Sequence, residues 1–178
     1  MIKKRTGFTL IEMIIVLSIT VLVMGIVMGI LMNGHRIFNQ SDVKTTLQEQ
    51  GQSIQEIISN ICMEGSEIEA VDLLDVSDNK VKSLKVKSYY KNGNTAKIYN
   101  IELKNSTIEI NGKAYQGKVK SIQIDEDIVE EAKKITDSHN YNKFSSIDFN
   151  IVLTDKKGFS GQVDYPINFT VAFRNKGR

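Results

Sequence analysis

KKRTGFTLIEMIIVL, residues 3–17, puts a carboxylate, Glu12, inside a run that otherwise reads as a membrane-spanning helix. A charge at mid-bilayer depth costs roughly 2.5 to 3.5 kcal/mol on insertion scales, so an intramembrane acid calls for a partner or a function. From Phe8 to Met32 Glu12 is the only formal charge. At about 1.5 Å per residue, those roughly 25 residues make a helix of about 37 Å, enough to cross a bilayer with some tilt. Asn33, Gly34, His35 and Arg36 end the run. Lys3, Lys4 and Arg5 precede it and only Arg36 follows closely, which predicts a single-pass protein with its N-terminus in the cytoplasm and residues after about 33 outside.

Two ordinary accounts of such a segment fall short. A cleaved secretory signal has a shorter apolar stretch and a small-residue cleavage site, and neither is present. A plain signal anchor explains the length and the flanking charges but gives Glu12 no purpose.

Gly7-Phe8-Thr9-Leu10-Ile11-Glu12, after a short basic leader and before the long apolar run, closely resembles the processing site of type IV prepilins and the related pseudopilins. The resemblance implies a chain cut by a prepilin peptidase between Gly7 and Phe8, N-methylated on Phe8, and built into a helical filament with Glu12 as the assembly glutamate. It divides the chain into a leader peptide (1–7), a transmembrane half-helix (8–32), an amphipathic half-helix (33–64) and a globular part (65–178). Cleavage would create an amine at Phe8 that stays charged after methylation. Two unit charges about 4 Å apart attract by roughly 4 kcal/mol at an effective dielectric of about 20, comparable to the cost of burying Glu12. The implied partners are the peptidase, other pilin subunits, the inner assembly platform and the membrane; the implied destination is a filament at the cell surface. Gly25 and Gly29 form a Gly-x-x-x-Gly pair of the sort that lets helices approach closely. Many pilins carry a proline near Gly29, whereas this chain has none before Pro166.

Helical periodicity continues beyond the apolar run. Val43, Leu47, Ile54, Ile57, Ile58 and Ile61, joined by Cys62, make an amphipathic stripe. One helix from about Thr9 to Glu64 is predicted, stopped by Gly65 and bent or weakened at Gly34 and Gly51. The period then changes to two. Leu84, Val86, Ser88 and Tyr90 alternate with Lys85, Lys87 and Tyr89; Tyr99, Ile101 and Leu103 alternate with Ile98, Asn100 and Glu102; Asn92-Gly93 lies between them as a turn. Ile108 and Ile110, a turn at Asn111-Gly112, and Val119 to Ile124 follow. Ile128, Ala132 and Ile135 have helical spacing behind Asp125-Glu126-Asp127, three acids that suit a helix start. Ile147 to Leu153, a turn at Asp155-Lys156-Lys157-Gly158, and Val163 to Phe173 close the chain.

A sheet with one apolar face needs a cover, and the stripe on residues 43–62 supplies it. The predicted class is α+β with an antiparallel sheet. It also resembles the pilin fold, and a soluble part of about 145 residues resembles the larger PilW-like minor pilins or their secretion counterparts. Cys62 is the single cysteine, so no intramolecular disulfide secures the C-terminal region, and a buried thiol is expected.

The chemistry-bearing patterns are few. The sequence has no nucleophile elbow, phosphate-binding glycine loop or zinc spacing, so no enzyme activity, cofactor or metal is expected. His35 and His139 are far apart in sequence. The formal charge of +2 falls to near neutrality once Lys3, Lys4 and Arg5 are set aside, which removes the general electrostatic case for nucleic acid. Lys80, Lys82, Lys85, Lys87, Lys91 and Lys97 with Tyr89, Tyr90 and Tyr99 could still meet DNA, although lysines in strands more often guard a sheet edge.

Overall fold

The computed structural model describes residues 8–75, 79–89, 96–115, 117–134, 140–158 and 160–174. The expectations about Gly7, the Asn92-Gly93 turn, Tyr90, Lys91, Ile135 and His139 lie outside them. A single helix, α1, runs from Leu10 to Glu64, 55 residues and roughly 83 Å at the usual rise. Eight strands follow among the described residues: β1 (Glu67–Asp75), β2 (Lys80–Tyr89), β3 (Ala96–Lys104), β4 (Thr107–Ile110), β5 (Lys113–Ala114), β6 (Val119–Ile124), β7 (Ser146–Asp155) and β8 (Val163–Ala172). A short helix α2 (Glu126–Lys133) and a 3-10 turn (Tyr141–Lys143) lie between β6 and β7. The fold is α+β, a long N-terminal helix laid on an antiparallel sheet.

The strand order is β5-β4-β3-β2-β6-β7-β8, with β1 on the other edge of β2. The tight hairpins follow from backbone that few residues tolerate. Asn105 and Ser106 (φ 49° and 60°) join β3 to β4, and Asn111 and Gly112 (φ 50° and 80°) join β4 to β5; positive φ at both central positions matches the twist of the flanking strands. β8 has a partner strand on one side only, β7. Pro166 sits in the middle of β8 opposite Val152, a position a strand tolerates only where the missing N–H would face away from its neighbour.

The stripe on α1 is buried as its spacing predicts. Val43, Leu47, Ile54, Ile58, Ile61 and Cys62 all enter the core, and α1 packs mainly on β8 and β7. Ile57, on the margin of the stripe, is only half-buried. The Cys62 thiol is fully enclosed, and burial pushes its pKa up to about 12. On the sheet, Ile147, Phe149, Ile151 and Leu153 of β7 pair with Val171, Phe169, Ile167 and Tyr165 of β8 on the face toward the helix.

Two glycines act differently from their sequence reading. Gly51 does not interrupt α1; it is buried, and a Cβ there would stand 2.5 Å from Ile167 Cδ1 and 3.3 Å from Leu153 Cδ1. The missing side chain lets helix and sheet touch. Gly65 does follow the last helical residue, and its N–H donates to Ile61 O and Cys62 O. Its backbone is extended (φ −67°) rather than left-handed. A Cβ at Gly65 would meet Val86 Cγ1 at 2.5 Å, so here too contact is the reason for glycine.

β1 escapes a period-two reading because it is bulged. Register shifts fall between Ile68 and Ala70, Asp72 and Leu73, and Leu73 and Asp75. Ile68 and Val71, three apart, are therefore both buried, and so are Val86 and Leu84 opposite them. α2 and the 3-10 turn pack on β1, burying Ile128, Val129 and Tyr141. Glu131, whose side chain is 6% exposed, ties α2 to the 3-10 turn. Its carboxylate accepts from Lys134 Nζ at 2.5 Å, Lys143 Nζ at 2.9 Å and Asn140 N–H at 3.1 Å. The two ammonium groups and the amide hold its pKa down at about 2.

Two measurements check this packing. Gly51→Ala should lower stability by about 1–3 kcal/mol through overpacking. Gly34→Ala, where an added Cβ meets nothing within 4 Å, should be neutral or stabilising by about 0.5–1 kcal/mol; equal thermal midpoints by circular dichroism in micelles would refute the close approach. The stabilisation from Glu131 should be complete above its ordinary pKa of 4.5 and drain away as pH falls from there through about 2. Glu131→Gln should therefore cost stability at neutral pH and shrink the loss on acidification, read as the unfolding midpoint against pH.

Candidate processing and assembly site

α1 begins with a reciprocal cap. Thr9, in extended backbone (φ −77°, ψ 152°), is the N-cap. Its Oγ1 accepts from Glu12 N–H at 3.3 Å, while Glu12 Oε2 accepts from Thr9 N–H at 2.8 Å and from Thr9 Oγ1 at 2.9 Å. Thr-x-x-Glu before an apolar run is the sequence signature of this box; the signal stands in the chain beside the processing pattern that overshadows it.

Within a single chain Glu12 thus has a local partner in Thr9. Each bond to the carboxylate goes to Oε2, and among the described residues Oε1 accepts none. A cap of this kind contributes about 0.5–2 kcal/mol, against roughly 2.5–3.5 kcal/mol for an acid at bilayer depth. The local bonds offset part of the cost and leave one oxygen for another partner.

The remaining polar groups of the apolar half are satisfied within the helix. Ser18 Oγ donates to Ile14 O and Thr20 Oγ1 to Val16 O, both at 2.8 Å. Everything else there is bare. Phe8 is 84% exposed, no residue from 8 to 38 is buried, and this stretch is long and apolar enough to cross a membrane. Gly25 and Gly29 lie one turn apart, where an added Cβ would meet nothing within 4 Å. Nothing among the described residues requires glycine at either position.

Lys85, Lys87, Lys97 and Tyr99 of the lysine-tyrosine set divide between the two faces of the sheet. Cross-strand pairing puts Lys97 beside Ser88 and Tyr99 beside Val86 on one face, and Lys85 beside Asn100 and Lys87 beside Ile98 on the other. Lys87 pairs with Glu67 at 3.2 Å, Lys97 Nζ lies 4.5 Å from the Tyr99 ring centre, and Tyr99 Oη donates to Glu64 at 3.0 Å. These contacts tie down the sheet and the end of α1. Asp125 flanks the start of α2, with Glu126 and Asp127 in its first turn. Among the described residues no three His, Cys, Asp or Glu side chains are grouped to hold a metal ion, and His35 is exposed on α1.

Thr9→Val should remove the cap and fray the first turn. Amide exchange at Leu10 to Met13 in micelles should quicken about fivefold, the equivalent of about 1 kcal/mol, while residues 43–64 stay unchanged. Unaltered exchange at Glu12 would show that the box carries no weight.

No curated protein and no solved structure matches the chain. Residues 2–31 match the family model described as the prokaryotic N-terminal methylation motif. That span covers the basic leader, the Gly7-Phe8 junction, the Thr9–Glu12 box and nearly all of the bare apolar helix, so the segment left without partners in the fold is the one that carries the signature of prepilin-type processing and assembly.

Proposed function

We propose that this protein is a structural subunit, a minor pilin, of a type IV pilus-like filament. The observation that carries the reading is the methylation motif at residues 2–31 placed on a helix whose apolar half has no cover from its own chain. Residues 1–7 are the leader removed by the prepilin peptidase, and Phe8 becomes the methylated N-terminus. Residues 8–32 hold the subunit in the cytoplasmic membrane, N-terminus inside, until they enter the filament core. Residues 33–64 and 65–178 form the part displayed outside. In the filament the Phe8 amine of a neighbouring subunit meets Glu12, whose Oε1 is left over from the cap. Gly25 and Gly29 let adjacent helices approach, and the inner assembly platform and other pilin subunits are the partners.

A pseudopilin of a secretion or DNA-uptake machine would use the same N-terminus. Scattering of the lysines over two sheet faces speaks against direct DNA contact by this subunit. A membrane-anchored binding module is the reading of another class; it would remain at precursor length and never sediment with fibres.

The test is the N-terminus of the cell-derived protein. Mass spectrometry should find a chain that starts at Phe8 and carries one added methyl group, and material that starts at Met1 would end the proposal. Gly7→Leu should remain at precursor length in the membrane. Glu12→Leu should be processed yet leave the sheared filament fraction, since it loses a pairing of roughly 4 kcal/mol; normal incorporation would show that the pairing is not needed.

A further inference from the structure

Between the apolar run and the globular part, α1 carries two large apolar side chains that no described residue covers. Ile37 is 63% exposed and Phe38 70%. They follow the polar break Asn33-Gly34-His35-Arg36 and directly precede Asn39 and Gln40, the first half-buried residues of the helix. Successive residues stand about 100° apart around a helix, so one neighbouring helix cannot cover both, whereas a surrounding medium can. The turn between β7 and β8 comes down to the same level. A Cβ at Gly158 would stand 3.0 Å from Asn39 Nδ2, and Lys157 pairs with Asp42 one turn further along α1. Asp155 is matched by Lys118, and Asp164, at the start of β8, by Lys120. Arg36 and Lys156 are both exposed, and no ion pair among the described residues engages either. They are surplus positive charge at this end of the globular part.

We propose that this end docks on the head groups of an anionic phospholipid surface, with Ile37 and Phe38 seated in the interfacial layer and Arg36 and Lys156 on the phosphates. The inference rests on the reading of residues 8–32 as the membrane span. From Met32 the six residues to Phe38 rise about 9 Å, and the polar layer on each side of the hydrocarbon core is about 5–7 Å deep. Side chains of a helix lean toward its N-terminus, which here is toward the bilayer, so the Phe38 ring and the Arg36 guanidinium reach back into that layer. Contact of the turn with Asn39 keeps Lys156 near the same depth. Each cation at such a surface strengthens binding by about fivefold. Because Lys156 approaches from one side of α1, docking also fixes the rotation of the helix about its own axis.

The chain has no tryptophan and one cysteine, the buried Cys62, so single reporters are unambiguous. The full-length chain is reconstituted into vesicles of phosphatidylcholine, alone or mixed with phosphatidylglycerol. Leu22→Trp reads the span through quenching by lipids brominated near the bilayer centre, and Phe38→Trp reads the interface through lipids brominated near the head group. A dye on Gly161→Cys, where an added Cβ meets nothing within 4 Å, reports by energy transfer to head-group-labelled lipid how close the turn lies to the surface. Phe38→Trp should be quenched by the shallow bromolipid, and transfer from residue 161 should be greater on the anionic vesicles. Arg36→Gln with Lys156→Gln should lower the docked-to-free ratio by roughly 25-fold and return transfer to the level on phosphatidylcholine. Equal transfer on the two lipids, no effect of the double variant, or an unquenched Phe38→Trp beside a quenched Leu22→Trp would overturn the docking and leave the span standing. Signals that follow protein density in the membrane instead of lipid charge would assign the patch to a second copy and overturn it as well. An unquenched Leu22→Trp would remove the span itself, and the docking with it.

Discussion

The seam between residues 43–62 of α1 and strands β7 and β8 is what the globular part depends on. With Cys62 alone in the chain, no disulfide shares the task, and burial of side chains such as Leu47 and Ile58, about 1.5–3 kcal/mol each, has to outweigh the entropy of ordering the chain. Gly51 sets the depth of that seam. Because α1 is unbroken, the same contact fixes how the apolar half leaves the globular part, and a structural device in the sheet thereby orients a segment the sheet never touches.

Polar contacts lock positions around the seam more than they hold it shut. Lys157 pairs with Asp42 of α1, and Lys120 with Asp164. Partly exposed pairs of this kind contribute about 0–1 kcal/mol. Glu131 differs in being enclosed, with two ammonium groups and an amide on one carboxylate, and it ties α2 to the 3-10 turn. At the other end of the chain, Glu12 shows the same economy. One oxygen of its carboxylate closes the helix start, and the second accepts no bond among the described residues.

Much of this was legible in the sequence because it is periodic. The stripe from Val43 to Cys62, the alternations in β2, β3, β7 and β8, and the Asn111-Gly112 turn depend on neighbours a few residues away, and the pattern declares them. β1 was not legible, since its bulges move Ile68 and Val71 out of alternation. Gly51 looked like a weak point in a helix because its partner, Ile167, is more than a hundred residues distant. Glu131 could not be told from any surface acid until Lys143 and Asn140 were brought round to it. The Thr9–Glu12 box is legible as Thr-x-x-Glu ahead of an apolar run, in the same residues that carry the processing motif. The pairing of Gln123 with Asn150 and of Asn150 with Asn168 exists only through strand register and leaves no local trace.

Pro166 has a consequence for crowding. β8 offers ten residues of backbone along a side that no strand covers, and copies lined up along a fibre would face one another at very high local concentration. An open border of that length invites uncontrolled pairing between sheets of adjacent molecules. A ring nitrogen halfway along removes one donor and interrupts any incoming ladder.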